Sequence, residues 1–280
     1  MNKVPKRHHP APLGSIEPHA ALLTAPASGR LLYKMMTIEN LLRSIDGDYL
    51  HFNRVDRYAD FSGADVHDGQ QLPADRPGNA HARFFKVPDH SASDYYDQAR
   101  ARTYACCFSL ENSDHIWKEY ANGSPKGKVC VVFDFGRLRS MLNASLDPAT
   151  ARVLYNGVAC RQIFSVNYGV VDYVDWDRHQ ANEAHLPNPI IYSFLKAKRF
   201  SAEKELRISL SALGVGRFAL NDGTELDFPD SFPTSFDFRA ALTGAAIRQI
   251  LCAPDCDARF LHLELDRRGI APAPGSDRAT

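Results

Sequence analysis

Two carboxylates two residues apart, Glu203 and Glu205, open the segment Phe200-Ser-Ala-Glu-Lys-Glu-Leu-Arg-Ile-Ser-Leu210 and run into alternating apolar residues. As a strand, this segment places Glu203, Glu205, Arg207 and Ser209 on one face and Leu206, Ile208 and Leu210 on the other. Carboxylates side by side on rigid backbone suit the grip of a polar ligand and the stabilisation of a positive charge that develops during reaction. The competing local arrangement is a helix on which Glu203 and Arg207 form an ordinary i,i+4 pair.

The elements that must position these groups follow from pattern. Thr37 is an N-cap for a short helix over 37–45, in which Ile38, Leu41, Leu42 and Ile45 recur at helical spacing. Short β-like runs at 30–34 and 49–53 flank it, making a β-α-β unit. Tyr33 and Lys34 close the first strand and Asn53 closes the second, positions from which strand ends present ligand contacts. Residues 104–108 read as an apolar strand, Ser113 as the cap of a helix carrying Ile116, Trp117, Tyr120 and Ala121, and 129–133 as a strand buried on both faces. Trp117 and Tyr120 are expected to anchor that helix in the core, with stacking on a planar ligand as the alternative.

Further along, 135–142 reads as a helix, 160–168 and 170–174 as strands, and 190–199 as a helix leading to the glutamate segment, with weaker strands at 213–220 and 247–252. Between 54 and 102 the sequence is a long polar stretch with one short helix near 93–100. Such a length inside a compact domain marks a functional lid or poorly ordered chain. Short helices among well-separated strands predict an α+β class: one globular domain over 29–268, with disordered tails at 1–28 and 269–280.

Composition narrows the chemistry. The 33 basic and 33 acidic residues cancel, so no general attraction to nucleic acid or anionic lipid is expected. No apolar run is long enough to span a bilayer, and no secretory signal is evident, so a cytoplasmic setting is expected. The six cysteines lack the spacing of a disulfide framework. Cys252 and Cys256 form a C-x3-C pair without a second Cys/His pair to complete four zinc ligands, and His8 and His9 fall in the N-terminal tail, so no metal is expected. No P-loop or G-x-S-x-G elbow is present, and Gly214-Val-Gly216 lacks the third glycine of a Rossmann fingerprint.

The order Leu32-Tyr33-Lys34, helix, Tyr49-Leu-His-Phe52, Phe108-Ser109, Trp117-x-x-Tyr120-Ala121, Gly127-x-Val129-Cys130, Lys198-x-Phe200 and Glu203-x-Glu205-x-Arg207 resembles a bacterial family catalogued as domain of unknown function two-nine-seven-one. The resemblance covers about residues 31–257. Where that family has an Asn-Asp-Pro-Phe-like turn after the second strand, this chain has Ala59-Asp60-Phe61. The opening Leu-Tyr-Lys, helix, strand order and the late Glu-x-Glu are also similar to ADP-ribosyltransferases.

That second resemblance implies a mixed, split β-sheet flanked by short helices, NAD as substrate, and a bacterial toxin or defence effector that modifies a protein or nucleic acid acceptor. Lys34 falls where the first strand of that fold holds the adenosine ribose. Glu205 would stabilise the ribosyl oxocarbenium while gripping a hydroxyl, Glu203 would act as general base, and Tyr33 or Tyr120 would stack on nicotinamide. Asn53 is a weaker contact. The alternative function is a non-catalytic module that binds a nucleotide or a protein through residues 54–102, with Glu203 and Glu205 paired to Arg207 and Lys198.

Overall fold

The computed structural model describes residues 13–60, 63–82, 91–147, 154–156, 158–181, 189–213 and 216–270. In chain order the strands are β1 (Leu13–Ile16), β2 (Leu31–Thr37), β3 (Tyr49–Arg54), β4 (Thr103–Ser109), β5 (Lys128–Asp134), β6 (Leu154–Tyr155), β7 (Val158–Ala159), β8 (Phe164–Val170), β9 (Asp172–Val174), β10 (Leu195–Ala197), β11 (Glu205–Ala212), β12 (Phe218–Ala219), β13 (Glu225–Leu226), β14 (Ser231–Ser235) and β15 (Ile247–Cys252). The α-helices are α1 (Ile38–Gly47), α2 (Arg76–His81), α3 (Ala92–Arg100), α4 (Asp114–Glu119), α5 (Phe135–Ser145), α6 (Phe238–Thr243) and α7 (Ala258–Arg267). The class is α+β, as expected.

Local chemistry explains the first unit. The Thr37 hydroxyl accepts the Asn40 N–H at 3.1 Å, and Ile38, Leu41, Leu42 and Ile45 are buried on one face of α1. Asp48, at φ 46°, turns the chain out of the helix into β3.

A nine-stranded sheet organises the molecule, with β1-β8-β11-β4-β2-β5-β15 in order and β3 and β14 branching from β4. Only β1 and β8 run parallel; the other pairs in this sheet are antiparallel. The sheet forks at β4. Its C-terminal end meets β2 where Tyr33 faces Ser109, and its N-terminal end meets β3 where Asn53 faces Ala105 and Arg54 faces Tyr104. Cys106, Cys107 and Phe108 lie between those two attachments.

One sheet face packs on α1, α5, α6 and α7 in the main core, to which β11 contributes Leu206, Ile208 and Leu210. A second buried cluster joins Leu72 and Tyr96 from the 54–102 stretch to Trp176 and Ile190–Leu195 residues such as Tyr192 and Phe194.

Several expectations are corrected. Leu13–Ile16 is a strand beside β8, so regular structure begins inside the stretch expected to be a disordered tail. The helix expected over 190–199 is instead a 3-10 helix (Pro189–Phe194), β10 and a second 3-10 helix (Lys198–Glu203), because β10 pairs with β9. The 54–102 stretch holds the short helix expected near 93–100, as α3 opened by a capping box between Ser91 and Asp94, and beyond that expectation a 3-10 helix (Val55–Asp60) and α2. Trp117 is not a core anchor, since its indole donates to Asn112 Oδ1 at 2.7 Å and Ile116 is the buried residue of α4. His8, His9 and residues 271–280 lie outside the described residues.

Gly127 is held at φ +82°, and a Cβ there would sit 2.8 Å from both Asp255 O and Cys256 Cα. Its carbonyl also accepts the first N–H of α1, from Ile38. Gly127→Ala is therefore expected to cost about 1–3 kcal/mol, read as a lowered urea midpoint with unchanged slope.

Candidate functional site

The fork in the sheet opens into a cavity of about 680 Å³, within the range of small-molecule sites. The six site residues expected from sequence, Tyr33, Lys34, Asn53, Tyr120, Glu203 and Glu205, line it, whereas Trp117 does not. Phe108, His115 and Phe200 add aromatic surface, and Tyr58, Cys107, Lys196 and Arg207 complete its deep end.

Alternation along β11 puts Glu205, Arg207 and Ser209 opposite Ser109, Cys107 and Ala105 of β4. Glu203 arrives by another route. It ends the 3-10 helix before β11, and Lys204, at φ 46°, turns the chain so that both carboxylates enter one cavity. The single strand face expected for the two glutamates is thus replaced by a turn and a strand end. Ser109 fixes that turn by donating its hydroxyl to Glu203 O at 2.8 Å, while Leu110 N–H donates to Lys204 O at 2.7 Å.

The deep end is a buried ionic network. Arg207, 0% exposed, donates to both oxygens of Asp68 at 2.5 and 2.6 Å, to Glu205 Oε1 at 2.5 Å and to Ser193 O at 2.7 Å. The Lys196 ammonium lies 2.6 Å from Glu203 Oε2 and 3.0 Å from Glu205 Oε2. The cation beside the glutamates is therefore Lys196; Lys198 is exposed.

This network moves the two carboxyls in opposite directions. For Glu205, burial favours the neutral acid, but the charges of Arg207 and Lys196 outweigh it and hold the carboxyl far below its ordinary value. For Glu203, burial dominates and the neighbouring Glu205 charge adds to it; Lys196 opposes both, and the net shift is upward. Burial also disfavours the Lys196 charge, yet Glu205, Asp68 and Glu203 outweigh it and keep the ammonium charged. One group is a fixed anion and its neighbour can exchange a proton, the division of labour seen where paired carboxyls do acid–base work.

The remaining wall residues are more modest. Lys34 donates to Cys107 O at 3.2 Å and lies 5.0 Å from the Phe108 ring centroid. Asn53 Oδ1 is 2.9 Å from His51 Nε2. Tyr120, expected in the core or against a planar ligand, is 39% exposed and lines the cavity near Glu203. Its carbonyl accepts from the buried Lys128 ammonium at 3.0 Å, which also bonds Trp117 O and so caps the end of α4. The Cys107 thiol is pushed well up by burial and the nearby Glu205 charge, so it stays protonated rather than nucleophilic.

Sequence reasoning missed Asp65, Asp68, Tyr58 and Lys196. Lys196 had one local signal, as the first of three cations (Lys196, Lys198, Arg199) that follow the apolar run including Ile190, Ile191, Phe194 and Leu195. Among the described residues no group of three or more His, Cys, Asp or Glu is placed to hold a metal, and no helix is long and apolar enough to cross a membrane. No protein-family model matches the chain, and no curated protein is significantly similar to it.

Proposed function

We propose that the cavity binds NAD and that the protein is an ADP-ribosyltransferase-like enzyme acting on a macromolecular acceptor, protein or nucleic acid. The observation that supports this best is the convergence of Glu203 and Glu205 with Tyr33, Lys34, Asn53 and Tyr120 on one cavity. In the reaction, the bond from the ribose carbon to the nicotinamide nitrogen breaks and its electron pair leaves with neutral nicotinamide. The ribosyl carbon becomes cationic, the acceptor's nucleophile bonds to it, and the acceptor's proton passes to Glu203. Glu205 acts through its field. Arg207 and Lys196 already donate to both of its oxygens, so its role is proposed to be this field in place of the expected grip on a ribose hydroxyl.

Wild-type protein incubated with nicotinamide-labelled NAD should release nicotinamide faster than Glu205→Gln. Equal release would remove the catalytic reading. One observation favours a second reading, a non-catalytic nucleotide- or protein-binding module: both glutamates already have cationic partners. In that case Glu→Gln changes at 203 and 205 lower thermal stability and no turnover is measurable.

A further inference from the structure

Among the described residues, five buried side-chain polar atoms lack a hydrogen-bond partner: Asp65 Oδ2, Ser113 Oγ, Asn167 Oδ1, Ser209 Oγ and Thr234 Oγ1. Asp65 alone of these is ionisable, and it alone lines the cavity. Its side chain is 0% exposed. Oδ1 accepts the His67 N–H at 3.0 Å, an Asx turn that an asparagine would make equally well. The ion pair it forms is loose, with Arg199 Nη2 at 3.8 Å from Oδ1 on a side chain that is 64% exposed.

Asp68, three residues on, makes the contrast plain, because Arg207 bonds both of its oxygens. Asp68 is thereby explained by the fold. The charge on Asp65 is not, and an unpaired buried polar atom costs about 1–3 kcal/mol, more when charged. A residue kept at such a cost on a cavity wall belongs to the ligand rather than to the fold.

We propose that Asp65 is a binding carboxylate of the cavity and that its Oδ2 accepts hydrogen bonds from the hydroxyl pair of a ribose. Asp65, Asp68, Glu203 and Glu205 face Lys196, Arg207 and the loosely held Arg199 at this end of the cavity, so carboxylates outnumber cations by one. An excess of negative charge repels phosphate and favours the donor-rich sugar, and carboxylate–hydroxyl bonds are charge-assisted. Ribose hydroxyls are held by an acidic residue in the same way in dinucleotide-binding folds. Arg199, resting 4.8 Å from the Phe200 ring centroid, is the neighbour with room to turn aside. The assignment rests on the NAD reading only for which ribose-bearing molecule enters.

The test is calorimetric titration of wild type and Asp65→Asn with NAD, adenosine and ribose 5-phosphate, alongside ligand-free thermal denaturation. Expected are an unchanged or raised Tm for the variant, at least tenfold weaker binding of the ribose-bearing probe, and no difference between the proteins for 2′,3′-dideoxyadenosine. Equal affinity in the two proteins, or a variant that loses Tm, assigns Asp65 a structural role and overturns the proposal. Wild type that binds adenosine or ribose 5-phosphate but not NAD overturns the NAD reading while Asp65 is still judged on the probe that binds. Wild type that binds none of the three overturns both.

Discussion

Arg207→Met is expected to be the most damaging single change in the protein, lowering unfolding free energy by about 3–5 kcal/mol. The guanidinium is the shared counter-ion of Asp68 and Glu205, both withdrawn from water. Removing it leaves Lys196, 3.0 Å from Glu205 and 3.8 Å from Asp68, to compensate two carboxylates and Glu203 besides. Against a typical domain stability of about 5–15 kcal/mol, such a loss consumes a large share. Urea unfolding reads it directly, and a midpoint shift worth less than about 1 kcal/mol would show that the network is not held as described.

The same network sets the acid limb of stability. Glu205 is held below its ordinary value when folded. As pH falls through the ordinary carboxylate range, near 4.3, the unfolded chain takes up a proton that the folded protein refuses. The contribution of Glu205 is therefore full above that range and lost as pH drops. In Arg207→Met this acid limb should flatten.

Glu203→Gln is expected to lower nicotinamide release by about 10²–10⁴-fold while leaving the fold intact. Lys196 keeps Glu205 as a partner after the change, so the stability loss should be well below that of Arg207→Met. Because the Glu203 carboxyl is raised, a general base at this position works only above the ordinary carboxylate range. Wild-type activity should rise with pH as Glu203 loses its proton, and the variant should lack that limb. For stability the sign is opposite to that of Glu205: the folded state favours protonated Glu203, so its contribution is present at low pH and lost as pH rises through the folded value. Undiminished release by the variant, with or without the limb, would exclude Glu203 as the base.

The parts of this architecture that were legible in sequence are those written in neighbouring residues. Thr37 and the apolar set Ile38, Leu41, Leu42 and Ile45 define α1 without reference to the rest of the chain. The alternation from Glu205 to Leu210 likewise defines β11, with its polar face toward the cavity. What failed depended on distant partners. Residues 190–199 carry helical-looking composition, but pairing of Leu195–Ala197 with Asp172–Val174 draws part of them into a strand.

Trp117 and Tyr120 have the bulk for a core, yet α4 is a single short helix and only Ile116 faces inward. Apart from the helix expected near 93–100, the segment 54–102 carries little local pattern because its polar residues find partners elsewhere. Asp68 meets Arg207 across 139 residues of chain, a match that no local periodicity records. The capping box at Ser91 and Asp94 was the one local mark within that segment that pointed to order.

That separation also bears on how the chain is made. Asp68 leaves the ribosome long before its counter-ion exists: at about 5–20 residues per second, Arg207 follows on the order of ten seconds later. Throughout that interval β4 lacks β11, the neighbour that carries the guanidinium. Helix α1 is specified by adjacent residues, whereas β2 and β3 find their strand partners only in the later β4, β5 and β14. The cavity's charged end waits for the late strand, so a nascent chain spends that time with its acidic half hydrated and its intended partner not yet synthesised.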